Sequence, residues 1–185
     1  MMPQPFNKAA ARKPADGELV AAADRKDIEA IKDLLERGAK VDEKNANGDT
    51  ALLIAVAIGS AEMARILIDG GANVDIKDRN GCTALINTAY YGYKEWAQLT
   101  AQRLIDKDAF LGEKNDAGDT AFSIARFIVQ MHGGRGIEFS QMLRSAAAAR
   151  KVVEAEKARQ AMVREKRKRL TAHAPRPVIG EGPCH

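Results

Sequence analysis

An all-α solenoid of paired helices is the fold class that this sequence predicts, on three observations. The segment Gly48-Asp49-Thr50-Ala51-Leu52 returns as Gly81-Cys82-Thr83-Ala84-Leu85 and again as Gly118-Asp119-Thr120-Ala121-Phe122, at intervals of 33 and 37 residues. Each landmark opens the same order of features: a helix-start Thr, a short apolar helix, a breaker and a second helix. The second helices of the first two units also end alike, in Glu36-Arg37-Gly38-Ala39-Lys40-Val41-Asp42 and Asp69-Gly70-Gly71-Ala72-Asn73-Val74-Asp75. A period in this range means stacked units that bury their apolar sides against one another. The composition agrees, with 45% hydrophobic but only 5% aromatic residues, because thin aliphatic layers suit closely stacked helices.

Taken in order, residues 1–15 are polar and Pro-interrupted and are expected to form a disordered arm. The repeats are expected over 16–144. In the first, about 17–47, Leu19, Val20, Ala22 and Ala23 supply a short helix. Ile28, Ile31, Leu34 and Leu35 then fall on one face of a second helix, with Asp27 as its N-cap and Gly38 as its breaker. In the second, 48–80, Thr50 caps a helix carrying Leu52, Ile54, Ala55 and Val56, and Met63, Ile66 and Leu67 line the helix after Gly59. The third, 81–117, carries four extra residues. Alignment places them in its outer helix between Trp96 and Ile105, where about one added turn keeps the buried stripe in register. Asp108 replaces the turn Gly there and should loosen that corner. The fourth, 118–144, reads as a cap interrupted by His132-Gly133-Gly134-Arg135-Gly136. A breaker-poor, Ala/Glu/Lys/Arg-rich helix is expected over 145–170, and a Pro/Gly-rich disordered tail over 171–185.

Period, Gly, Thr and the Gly-Ala turn together make the chain resemble an ankyrin-repeat protein. The chain departs from that family's Thr-Pro-Leu-His strip: Ala51, Ala84 and Ala121 stand at the Pro position, and Leu53, Ile86 and Ser123 at the His position. The resemblance implies paired helices with β-hairpin or loop fingers. It also implies a surface for protein binding without intrinsic chemistry.

In that family the two residues before the inter-helix Gly often face a concave groove. The resemblance puts Tyr90 and Tyr91, before Gly92, on that surface, with Ala57 and Ile58 as their equivalents before Gly59. Every Tyr and Trp of the chain falls between Tyr90 and Trp96. Large amphipathic rings at an exposed groove are common anchors of an interface; the alternative is packing against the lengthened helix of their own repeat. Trp96 aligns with Met63 and is expected in the core. The finger tips form a second candidate surface, at Lys44, Asp49, Lys77, Arg79 and Cys82, since loops on a rigid scaffold commonly carry recognition. Asn47, Asn80 and the glycines after them read as turn residues.

Charge divides the chain. Residues 1–143 carry 18 Lys/Arg against 21 Asp/Glu, and residues 144–185 carry 11 against 4. Polyanion attraction therefore belongs to the C-terminal part, at Arg159, Arg164, Lys166, Arg167, Lys168 and Arg169. A solvated charged helix is the commoner explanation of such a run. Nucleic acid or an anionic membrane surface is the alternative partner.

No nucleophile–base pair, metal-ligand spacing or phosphate loop can be assembled around the three histidines, so catalytic, cofactor and metal sites are all expected to be none. The two cysteines, Cys82 and Cys184, suggest no disulfide framework and a reducing compartment. No apolar run approaches the roughly 18 residues of a membrane span, and the N-terminus lacks a secretory h-region. The expectation is a cytoplasmic monomer that binds an unidentified protein.

Overall fold

The computed structural model describes the backbone of residues 14–172 and the side chains of residues 14–165. The expected N-terminal arm and C-terminal tail thus lie almost wholly outside the described residues. Eight helices follow in order: α1 (Glu18–Asp24), α2 (Ile28–Glu36), α3 (Ala51–Ala57), α4 (Ala61–Asp69), α5 (Ala84–Ala89), α6 (Glu95–Asp106), α7 (Ala121–Met131) and α8 (Ile137–Ala172). Residues to Ala146 belong to one compact unit and those from Ala147 to another. In the first, α1, α3, α5 and α7 stack side by side, α2, α4 and α6 pair with the first three, and α4 packs on α6.

The inner helices α3, α5 and α7 each start on a side-chain cap, whereas α1 starts at Gly17 without one. The hydroxyls of Thr50, Thr83 and Thr120 accept from the backbone N–H groups of Leu53, Ile86 and Ser123, at 3.4, 3.3 and 3.2 Å. Ser123 answers with its own hydroxyl, which accepts from Thr120 N at 2.9 Å and completes a capping box. Between two neighbours, α3 buries every residue from Ala51 to Val56. That explains its continuous apolar run: a helix covered on both sides has no polar stripe to show.

The corners that end the outer helices share one geometry. Gly38 and Gly71 adopt φ 78 and 91°, and Asp108 holds the same left-handed region at 62°. Ala39, Ala72 and Ala109 each donate to the carbonyl five residues back, Leu34, Leu67 and Leu104, at 2.9, 3.0 and 2.9 Å. The expected loosening at Asp108 does not occur. Aspartate tolerates this conformation better than most side chains, and the hydrogen bonds hold it.

The third repeat absorbs its extra residues differently from expectation. Helix α6 has 12 residues against 9 in α4. The connection also grows, from Ile58–Ser60 to Tyr90–Lys94, and α5 is one residue shorter than α3. The longer α6 still buries Ala97, Thr100, Ala101 and Leu104, an i, i+3, i+4, i+7 face. Trp96 is only half-buried, packed on the edge of the core.

The stack closes at its C-terminal end. Arg126 aligns with the buried Ala89 and Val56 yet is exposed, because no further inner helix covers α7. The fourth repeat's second helix does not stop near residue 144. Helix α8 continues to Ala172, since Ser145-Ala146-Ala147-Ala148-Ala149 offers no breaker. Its Phe139 is fully buried against Gly92, where a Cβ would stand 2.9 Å from the ring. The glycine-rich turn before α8 is packed as well: a Cβ on Gly136 would meet the Gly92–Tyr93 backbone at 3.1 Å.

Phe139 is the one aromatic side chain among the described residues that is fully buried. Phe139→Ala is expected to cost about 3–5 kcal/mol, read as a fall in the urea midpoint at unchanged slope. A loss below about 1 kcal/mol would mean that the cap does not hold the stack.

Candidate functional site

The ends of the inner helices form a row across the stack. Asp24, Ala57, Tyr90 and Phe127 occupy one repeat position, and Arg25, Ile58, Tyr91 and Ile128 the next. Ala57 is exposed, as are Ile58 (37%), Tyr90 (41%), Tyr91 (42%) and Phe127 (59%). Phe127 was not singled out from the sequence, although its 37-residue offset from Tyr90 was enough to find it.

The two tyrosines are held differently. The Tyr91 ring tilts against Trp96 at 42° with centroids 5.4 Å apart. Trp96 itself lies over the preceding repeat's turn, where a Cβ on Gly59 would stand 3.0 Å from its indole. Tyr91 therefore does make the intra-repeat contact weighed against binding, yet it keeps an exposed face. Tyr90 runs toward the fingers. Burial pushes its phenol pKa up, and Cys82, Asp119 and Asp78 add to the effect, while a hydrogen bond with Asn115 opposes it. Tyr93 turns away from both and stacks on His132 at 4.4 Å.

The fingers are loops built on Asx turns. Asn45 Oδ1 accepts from the N–H groups of Asn47 and Asp49, Asp78 Oδ1 from those of Asn80 and Cys82, and Asn115 Oδ1 from Asp119 N–H. Asn47 and Asn80 thus sit in turns. Among the described residues the one β-bridge joins Lys44 to Thr50.

The candidate finger residues divide by environment. Lys44 Nζ donates to the Lys77 carbonyl and Lys77 Nζ to the Lys114 carbonyl, each at 3.1 Å. Lys77 also pairs with Glu113 at 2.6 Å. These ammonium groups tie one finger to the next, a use that the sequence reading assigned to neither. Cys82 is buried and presents no thiol to a partner. It occupies the position of the half-buried Asp49 and Asp119, and burial pushes its pKa up. Arg79 stands exposed at its tip.

In the second compact unit Arg159 and Arg164 are exposed. The side chains of Lys166, Arg167, Lys168 and Arg169 lie outside the described residues. Among the described residues no group of three or more His, Cys, Asp or Glu is placed to hold a metal ion, and no helix is long and apolar enough to cross a membrane.

A family model described as ankyrin repeats, in three copies, matches residues 19–114. No curated protein matches the chain.

A buried, protonated thiol reacts slowly. Cys82 is expected to react with an aromatic disulfide reagent at pH 8 at least tenfold more slowly in the folded protein than in urea. Because its folded pKa lies above the free thiol's 9.0, the fold also loses stability as pH rises through 9 and above. Equal reaction rates in both states would contradict the burial.

Proposed function

We propose, since the chain belongs to the ankyrin-repeat family, that it is a non-enzymatic module that binds a protein partner along its inner-helix ends and fingers. Ankyrin repeats are generally protein-interaction modules. The observation that carries the reading for this chain is the exposed row of Ile58, Tyr90, Tyr91 and Phe127 at equivalent repeat positions. A row of apolar and aromatic side chains left open to water on a rigid stack is the surface that a partner desolvates. Tyr91 is braced by Trp96, so little rotamer freedom is lost when a partner covers it.

Within this reading the fingers divide their labour. Lys44 and Lys77 hold the fingers in register, and Arg79, exposed at its tip, is the finger residue that meets the partner. Ala57 leaves room beside Ile58 for a partner side chain, while Asp49 flanks the row.

The test uses the full chain as bait on native lysate at low and high salt, followed by identification of the retained proteins and titration of the purified partner. Tyr91→Ala and Phe127→Ala are each expected to weaken binding by about thirtyfold, the equivalent of roughly 2 kcal/mol at an interface anchor, with an unchanged circular dichroism spectrum. A partner that binds both variants as tightly as the parent chain would sink the assignment of the row.

A further inference from the structure

The second compact unit has a property that the repeats do not. Every residue from Lys151 to Glu165 is exposed, including Val152, Val153, Met162 and Val163. Residues 147–172 hold nine Lys or Arg against three Glu, a surplus of six positive charges over one helical segment. At 1.5 Å per residue those 26 positions extend about 39 Å, close to one turn of duplex DNA.

How the cations are distributed around the helix decides the partner. At 100° per residue, Arg150, Lys151, Lys157, Arg159 and Arg164 fall at about 0, 100, 340, 180 and 320°. Lys166, Arg167, Lys168 and Arg169 are four consecutive helical positions, at about 160, 260, 0 and 100°, so the cationic positions together surround the helix. A flat lipid surface meets one side of a helix and requires an apolar face to bury. Here the side that carries Val152, Met162 and Val163, at about 120–220°, has Arg159 in its middle. A groove with phosphates on both walls meets several sides at once. The major groove of B-form DNA is about 12 Å wide and admits an α-helix, whereas the A-form RNA major groove is too narrow for side chains to read. There is no aromatic residue in this segment to stack on unpaired bases.

We infer that residues 147–172 of α8 bind the major groove of duplex DNA through phosphate contacts, without base selectivity and independently of the partner surface on the repeats.

The experiment is fluorescence anisotropy of a labelled 20-base-pair DNA duplex titrated with the full chain from 50 to 200 mM salt. About six phosphate contacts give a log–log slope near −5 and an affinity loss of roughly a thousandfold over that range. The double variant Arg159→Gln/Arg164→Gln keeps good helix formers and is expected to bind at least tenfold more weakly, with the slope shallower by about two. Arg25→Gln/Lys32→Gln removes the same charge from the first repeat and is expected to leave the slope unchanged. Anionic vesicles containing 30% phosphatidylserine are the competing surface. Absence of duplex binding at 50 mM salt would overturn the inference, as would equal effects of the two double variants or tighter binding to the vesicles than to DNA.

Discussion

A pair of helices seven and nine residues long cannot shield its own apolar side chains from water, and the whole repeat region answers that deficit. Helix α3 is buried from Ala51 to Val56 only because α1 and α5 flank it. Stability in such a stack is a sum over neighbours, so the ends are where the architecture must change. At the C-terminal end it does so in two ways. Arg126 replaces the small buried residues of earlier repeats and faces solvent, and Phe139 from α8 fills the space that a flat packing of Gly92 leaves.

The chain lacks the family's histidine at Leu53, Ile86 and Ser123, so contacts between repeats must be made elsewhere. They are made at the fingers. Asp42 and Asp75 accept from the N–H groups of Asn73 and Phe110, each at 2.8 Å. Lys44 and Lys77 reach the next finger's carbonyls, and Asp116 N–H donates to the Asn80 carbonyl at 3.1 Å. Charged partners make such hydrogen bonds stronger than neutral ones, and repetition at 31 to 37 residues of separation keeps successive units in line.

Much of this fold was legible because its signals are local. Thr50, Thr83 and Thr120 cap where a Thr before an apolar run should cap, and Gly38 and Gly71 turn where positive φ costs least. What could not be read depends on contacts between units. Lys77 looked like an exposed binding residue because its acceptor is the backbone of Lys114, 37 residues away. Cys82 shares a register position with two half-buried aspartates, and only packing reveals that its thiol is buried. The start of the basic helix lies earlier than the expected 145 for the opposite reason: no residue near 144 breaks a helix, and one continuous helix runs from Ile137 through the repeat boundary. At the site, Tyr90 and Tyr91 stood out by residue type. Phe127 did not, because the fourth repeat drifts from the pattern that would have drawn attention to it.

The acceptors in the finger ladder are main-chain groups. Lys44 and Lys77 find carbonyls, and Asp42 and Asp75 find N–H groups, so the residue at the receiving position contributes nothing but its backbone. Each tie therefore fixes the identity of one residue and asks nothing of its recipient's side chain, although Lys77 is held by its own tie to the next finger and Asn73 Oδ1 accepts from Asp75 N–H. Phe110 can change to any residue other than proline and still receive Asp75. Alignment of the fingers is in this way insulated from what they display at Phe110 and Lys114, where a new specificity can arise without a compensating change in the scaffold.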